Sequence, residues 1–108
     1  MKNYLKYLND TLYSFQRKYD LSDNQLKFLI FINDEKGSFT KKYIRENMYV
    51  SKNFNDRKFP ELVKRDYVFV FEKRAWNSNV PNKYRVTNKT HRLITKFYNV
   101  LEGLETMQ

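Results

Sequence analysis

VSKNFNDRKFPELVKRDYV, residues 50–68, has helical periodicity and two features that resist a straight helix. Pro60 stands where an α-helix needs a backbone N–H, and the early positions are taken by Lys52, Asn53, Asn55, Asp56, Arg57 and Lys58. Val50 and Ser51 open the segment, with Ser51 the expected N-cap. Phe59, Leu62 and Val63 form its inner face, which Phe54 joins only if the axis bends. Pro60 either kinks the helix near Phe59 or starts a fresh turn at the first helical position, where its missing N–H is harmless. Such a helix is pinned at its apolar end and offers a cationic, amide-rich start to a partner.

The segments on either side extend this pattern. Upstream, Leu5, Leu8, Leu12, Phe15 and Tyr19 recur at spacings of three and four, one stripe of a first helix, with Tyr4, Tyr7 and Tyr13 off it. Ser22 and Gln25 make a capping box for a second helix, and Leu21 is placed to staple against Leu26. The core face of that helix is Leu26, Leu29, Ile30 and Ile32, and Gly37 is the expected left-handed stop. Phe39 is a brief strand. Thr40 caps a short helix, KKYIREN, with Tyr43 and Ile44 inward and Met48 closing its last turn. Downstream, YVFVFEKR and KYRVT flank the polar cluster AWNSNVPN, which predicts a hairpin with a long loop. Thr87 caps a last helix, in which Leu93, Phe97, Val100, Leu104 and Met107 form one row and Ile94, Tyr98 and Leu101 a second. The expected order is helix, helix, short strand, helix, helix, hairpin, helix: mainly α with a small β-hairpin, in one domain over residues 1–108.

Charge is segregated along the chain. Its net charge is +9, and residues 38–96 hold fifteen Lys/Arg against five Asp/Glu, whereas the two ends hold six against seven. A cationic centre between near-neutral ends points to a polyanionic partner. Cysteine is absent, which excludes disulfides and thiolate chemistry and suits a reducing, cytoplasmic setting. The first fifteen residues are broken by charge and amide every few positions, so neither a signal peptide nor a membrane span is expected. Enzymatic chemistry has little to draw on. His91 is the only histidine, the two glycines build no phosphate-cradling loop, and the carboxylates are scattered among lysines, so no cofactor and no metal is expected.

Two short helices joined by a tight turn and followed by a hairpin make the winged helix-turn-helix arrangement. Ser51, the run Leu62-Val63-Lys64-Arg65-Asp66-Tyr67-Val68 into the hairpin and Tyr84-Arg85-Val86-Thr87 out of it resemble the DNA-binding core of MarR-type regulators and their smaller SarA-like relatives. Asp66 stands where that family usually ends its recognition helix with glycine, Thr90 where a second glycine follows, and the hairpin lacks the family's Asp-x-Arg. The resemblance implies a winged-helix core over about residues 22–90, flanked by terminal helices that join two copies.

On this reading Ser51, Lys52, Asn53, Asn55, Asp56, Arg57 and Lys58 meet double-stranded DNA from the recognition helix, assisted by Thr40, Lys41 and Lys42 on the helix before it. Asn53 and Asn55 suit adenine edges and Arg57 suits guanine. Asp56 either accepts from cytosine or orients Arg57. From the hairpin, Lys73, Arg74, Lys83 and Arg85 reach the minor groove, and Trp76 either wedges there or, as favoured, folds back on its own strands. Tyr4, Leu5, Tyr7, Leu8, Leu12, Ile94, Phe97, Tyr98, Leu101 and Leu104 are the expected homodimer interface. The family's usual site for a small-molecule effector lies between the dimer helices and the winged core. A protein-docking module on the same fold is the alternative.

Overall fold

The computed structural model describes residues 3–34, 37–48, 51–76 and 79–105; Val50 and Met107, assigned roles above, lie outside them. It is mainly helical with one two-stranded antiparallel sheet. Helices α1 (Tyr4–Tyr19), α2 (Asp23–Asn33) and α3 (Lys41–Asn47) are followed by a π-helical turn, Phe54–Lys58, that runs into α4 (Phe59–Lys64). Strands β1 (Val68–Glu72) and β2 (Lys83–Val86) form the hairpin, and α5 (Asn88–Leu101) closes the order. No described helix is long and apolar enough to cross a membrane.

The predicted caps form. Ser22 Oγ accepts from Gln25 N–H at 3.1 Å while Gln25 Oε1 accepts from Ser22 N–H at 2.9 Å, the reciprocal pair of a capping box. Thr40 accepts from Tyr43 N–H and Thr87 from Thr90 N–H, so α3 and α5 start where their hydroxyls dictate. α2 stops at Asn33, before Gly37, which nevertheless adopts the positive φ of 94° expected of it. At the end of α4, Asp66 stands where the resembled pattern has glycine, and takes φ 66° itself. Asp66 N–H bonds to Val63 O at 3.1 Å and Tyr67 N–H to Leu62 O at 2.9 Å, the paired bonds of a Schellman ending.

The expected first strand is a single residue. Phe39 exchanges two backbone hydrogen bonds with Tyr84, at 2.9 and 2.8 Å, and extends no further because Thr40 is already an N-cap. β1 and β2 pair Val68 with Val86, Phe69 with Arg85, Val70 with Tyr84 and Glu72 with Lys83, with an irregularity between Val70 and Glu72.

At the centre lies Phe28, which the helical stripe did not single out. Its ring centroid is 5.8 Å from that of Phe39, 5.4 Å from Phe54 and 5.8 Å from Phe59, while Phe59 meets Tyr84 edge-on at 4.9 Å. This aromatic knot ties α2, the π turn, α4 and the hairpin together. A second contact, Phe15 edge-on to Phe97 at 5.2 Å, joins α1 to α5.

That packing corrects part of the expected homodimer surface. Ile94 is 1% and Phe97 2% exposed, because α5 turns these two side chains toward the chain's own core. Tyr4, Leu5, Tyr7 and Leu104 remain exposed, Leu5 at 68%, and Leu8, Leu12, Tyr98 and Leu101 are half-buried. The Tyr7 hydroxyl donates to Val100 O at 2.6 Å, fixing the start of α1 on α5.

Because Phe28 touches three other buried rings, Phe28→Ala should lower unfolding stability by about 3–5 kcal/mol in urea titration. Trp76→Ala, at a fully solvated tip, should stay within about 0.5 kcal/mol.

Candidate functional site

Proline dictates the shape of the central helix. In a regular α-helix the Pro60 ring would press on the carbonyl of Asp56 and leave it without a donor. The chain widens instead: Phe59 N–H bonds to Phe54 O, five residues back, and Pro60 enters α4 in its first turn. A bond across five residues sets Phe54 and Phe59 on the same side, and both are buried. This is the bend that Phe54 required.

The widened turn also changes which polar side chains face outward. Lys52, Asn53, Asp56 and Arg57 are exposed, and Ser51, also exposed, accepts from Phe54 N–H at 3.3 Å. Asn55 is not on that face: it is 6% exposed, and neither its Oδ1 nor its Nδ2 has a hydrogen-bond partner among the described residues. Adjacent to Phe54, it is carried inward with the π turn. Lys58 is half-buried, its carbonyl accepting from Gln25 Nε2 at 3.2 Å. Both polar atoms of the buried Gln25 side chain are thus hydrogen-bonded, and it locks the start of α2 against the helix.

On α3, Thr40 is occupied as a cap, Lys41 lies half-buried with its ammonium 5.5 Å from the Phe59 ring centroid, and Lys42 is exposed beside Glu46 at 3.7 Å. In the hairpin, Lys73 and Arg74 are exposed. Lys83 pairs with Glu72 at 3.3 Å. The Arg85 guanidinium sits 3.7 Å from the centroid of Phe71, a cation–π contact that aims it along the strand. Trp76 is 94% exposed, so it does not fold back on its strands. Phe69, Val70, Phe71 and Val80 are also exposed, giving the hairpin apolar as well as cationic surface.

The fold brings two groups of residues together that the sequence kept apart. Ser22, Asp23 and Asn24 at the start of α2 border a hollow of about 220 Å³ with Ser51, Asn53 and Lys58. Asn24 therefore joins the exposed polar set beside Asn53; its only signal in the sequence was its place in the first turn behind a capping box. Elsewhere, Leu8, Leu12, Phe31, Phe97, Tyr98 and Leu101 line an apolar hollow of about 370 Å³ between α1, α2 and α5. Burial, followed by the nearby Asp34 carboxylate, raises the Tyr98 phenol above its usual pKa. His91 is exposed on α5 and borders a cleft with Asn33, Asp66 and Arg85.

Comparison of the chain with protein-family models, with curated proteins and with solved structures gives no match.

Asn55 offers a direct check on this geometry. Replacing a buried amide that lacks partners by the similarly branched Asn55→Leu should raise unfolding stability by about 1–3 kcal/mol in denaturant titration. A loss of stability would place a partner on that amide.

Proposed function

We propose that the protein is a homodimeric, sequence-specific, double-stranded DNA-binding transcriptional regulator with a winged helix-turn-helix core. In this reading α2, α3 and the helix from Lys52 to Lys64 form the helix-turn-helix, the β1–β2 hairpin is the wing, and α1 and α5 carry the dimer contacts. The observation that supports it most is the division of the central helix. Lys52, Asn53, Asp56 and Arg57 are exposed on its first turns, while Phe54, Phe59 and Leu62 anchor its other side.

The chemistry of each part suits the role. Free backbone N–H groups behind Ser51 lie at the positive end of a helix dipole, where a phosphate is stabilised. Asn53 and Arg57 have the donor patterns that pair with adenine and guanine edges in the major groove. Lys73, Arg74 and Arg85 supply phosphate and minor-groove charge, and the exposed Trp76 is free to wedge between base steps. Exposed Tyr4, Leu5 and Leu104 with half-buried Leu8, Tyr98 and Leu101 support pairing of two copies through the terminal helices. The hollow between α1, α2 and α5 is the place for a small apolar effector. A cytoplasmic location fits the absence of cysteine.

One observation favours a second reading. Phe69, Val70, Phe71, Trp76 and Val80 give the hairpin more apolar surface than phosphate contact requires, as a module docking on a polymerase, replication or host protein would need.

Alanine substitution separates the two. Asn53→Ala and Arg57→Ala should each cost about 1–3 kcal/mol at a sequence selected from random DNA and much less on unselected duplex. Asn55→Ala should show no such difference. Lys73→Ala should weaken both duplexes alike and reduce the salt slope by about one. Duplex binding unaffected by all of them would favour the docking module. In sedimentation the protein should run as a dimer, and Leu5→Glu, at a position exposed in the single chain, should convert it to a monomer with weaker DNA affinity.

A further inference from the structure

Away from the proposed DNA face, Tyr19 at the end of α1, Tyr67 ahead of β1, and Lys89, Arg92, Leu93 and Lys96 of α5 enclose a pocket of about 250 Å³. The three α5 cations recur at spacings of three and four, so they share one face over about 10 Å of helix. Tyr67 is 3% exposed, and burial raises its phenol above its usual pKa.

The walls are built rather than incidental. Arg65 donates to Asp20 O and Tyr19 O, each at 2.7 Å, and approaches Glu61 at 3.3 Å, so it welds the end of α4 to the end of α1. Its guanidinium lies 5.4 Å from the Tyr67 ring centroid. Lys89 lies 4.2 Å from the same centroid and donates to Arg65 O at 2.8 Å. Two cations thus lie against the Tyr67 ring. Beyond the rim, the Lys96 ammonium lies close enough to Lys18 to lower the latter's pKa, burial lowers it further, and Glu105 partly offsets both. Asp20 is the acidic group at the Tyr67 end.

We propose that this pocket binds the phosphoryl groups of a small phosphorylated metabolite, with Lys89, Arg92 and Lys96 as the cationic ligands and the tyrosine hydroxyls as donors. A dianion is the species that relieves several cations gathered on one helix face, and charge-assisted hydrogen bonds of the Lys/Arg–phosphate kind are the strong ones. The pocket holds a phosphate or pyrophosphate group, not a drug-sized ligand. Arg65, whose carbonyl holds Lys89 at this pocket, lies thirteen residues after Lys52, about 20 Å along the helix from the proposed DNA-reading turns. The inference does not depend on the DNA reading.

Calorimetric titration of the full chain with inorganic phosphate and with pyrophosphate, at constant ionic strength set by chloride, tests it. Saturable binding is expected, tighter for pyrophosphate. Arg92→Gln and Lys96→Gln, both on the surface of α5, should each weaken it about tenfold or more, and Tyr67→Phe should weaken it while leaving the fold unchanged by circular dichroism. No saturable binding, or binding unchanged in the Arg92→Gln, Lys96→Gln double variant, overturns the proposal. A short DNA duplex serves as the competing arm. Pyrophosphate affinity that persists in the presence of duplex supports a metabolite site. If duplex displaces pyrophosphate and both substitutions weaken duplex binding equally, the pocket is a DNA-backbone contact and the proposal fails.

Discussion

The missing N–H of Pro60 is the constraint from which the central part of the molecule follows. Without a donor at that position the helix cannot continue in α register, and the five-residue bond from Phe59 to Phe54 is the local solution. That bond places two phenylalanines on one side, where Phe28 receives both. Phe28 then reaches Phe39, whose backbone bridge to Tyr84 fixes the base of the hairpin. A π turn is a less favourable conformation than an α turn, and here the burial of two aromatic rings offsets it. The same turn draws Asn55 inward, so one stabilising arrangement brings with it one unfavourable buried amide.

How much of this could be read from the sequence differs by kind of signal. Caps were legible because they are local chemistry: Ser22 with Gln25, Thr40, Thr87 and Ser51 all accept the backbone N–H groups their positions imply. The inner face of Phe59, Leu62 and Val63 followed from period alone, and the hairpin from two β-rich runs around a polar cluster. What escaped depended on contacts between distant elements. Phe28 lies off the stripe of α2 as first drawn, and only the approach of Phe39, Phe54 and Phe59 encloses it. Asn55 and Asn53 are both short amides two residues apart, and only the π register decides that one is inside and the other outside. Ile94 and Phe97 were expected at a dimer interface, yet both are buried within the single chain, Phe97 against Phe15 of α1. A row of apolar residues on a helix says that something buries it, without saying whether the cover is the same chain or another.

Asp66 takes a left-handed conformation that glycine would adopt more easily. The left-handed conformation there is set by the Schellman bonds of α4 and by Thr87 Oγ1, which donates to Asp66 O at 2.7 Å. Glycine adopts that conformation without strain; an aspartate adopts it at some cost, less than most L-residues would incur. Thr87 therefore has two duties, capping α5 and holding the turn that precedes β1, and Thr90 Oγ1 adds a third bond, to Tyr67 O at 2.6 Å. Asp66 and Thr90 thus fit where they stand, one by backbone pairing and the other by a buried hydroxyl.

The cations, finally, are not one surface. Those on the first turns of the central helix are exposed; those of the hairpin are partly committed, Lys83 to Glu72 and Arg85 to the face of Phe71. Those around Tyr67 are organised most tightly, since Arg65 and Lys89 lie against its ring and spend hydrogen bonds on carbonyls of the chain itself. A cation held by its own backbone loses less conformational freedom when an anion arrives, so fixed charges favour a small, defined ligand. Flexible, hydrated lysines and arginines suit a polymer whose phosphates repeat along a groove, where each contact is weak and register is set elsewhere. The excess of positive charge in residues 38–96 therefore divides, on physical grounds, into exposed side chains on the central helix and hairpin and a tightly organised group around Tyr67.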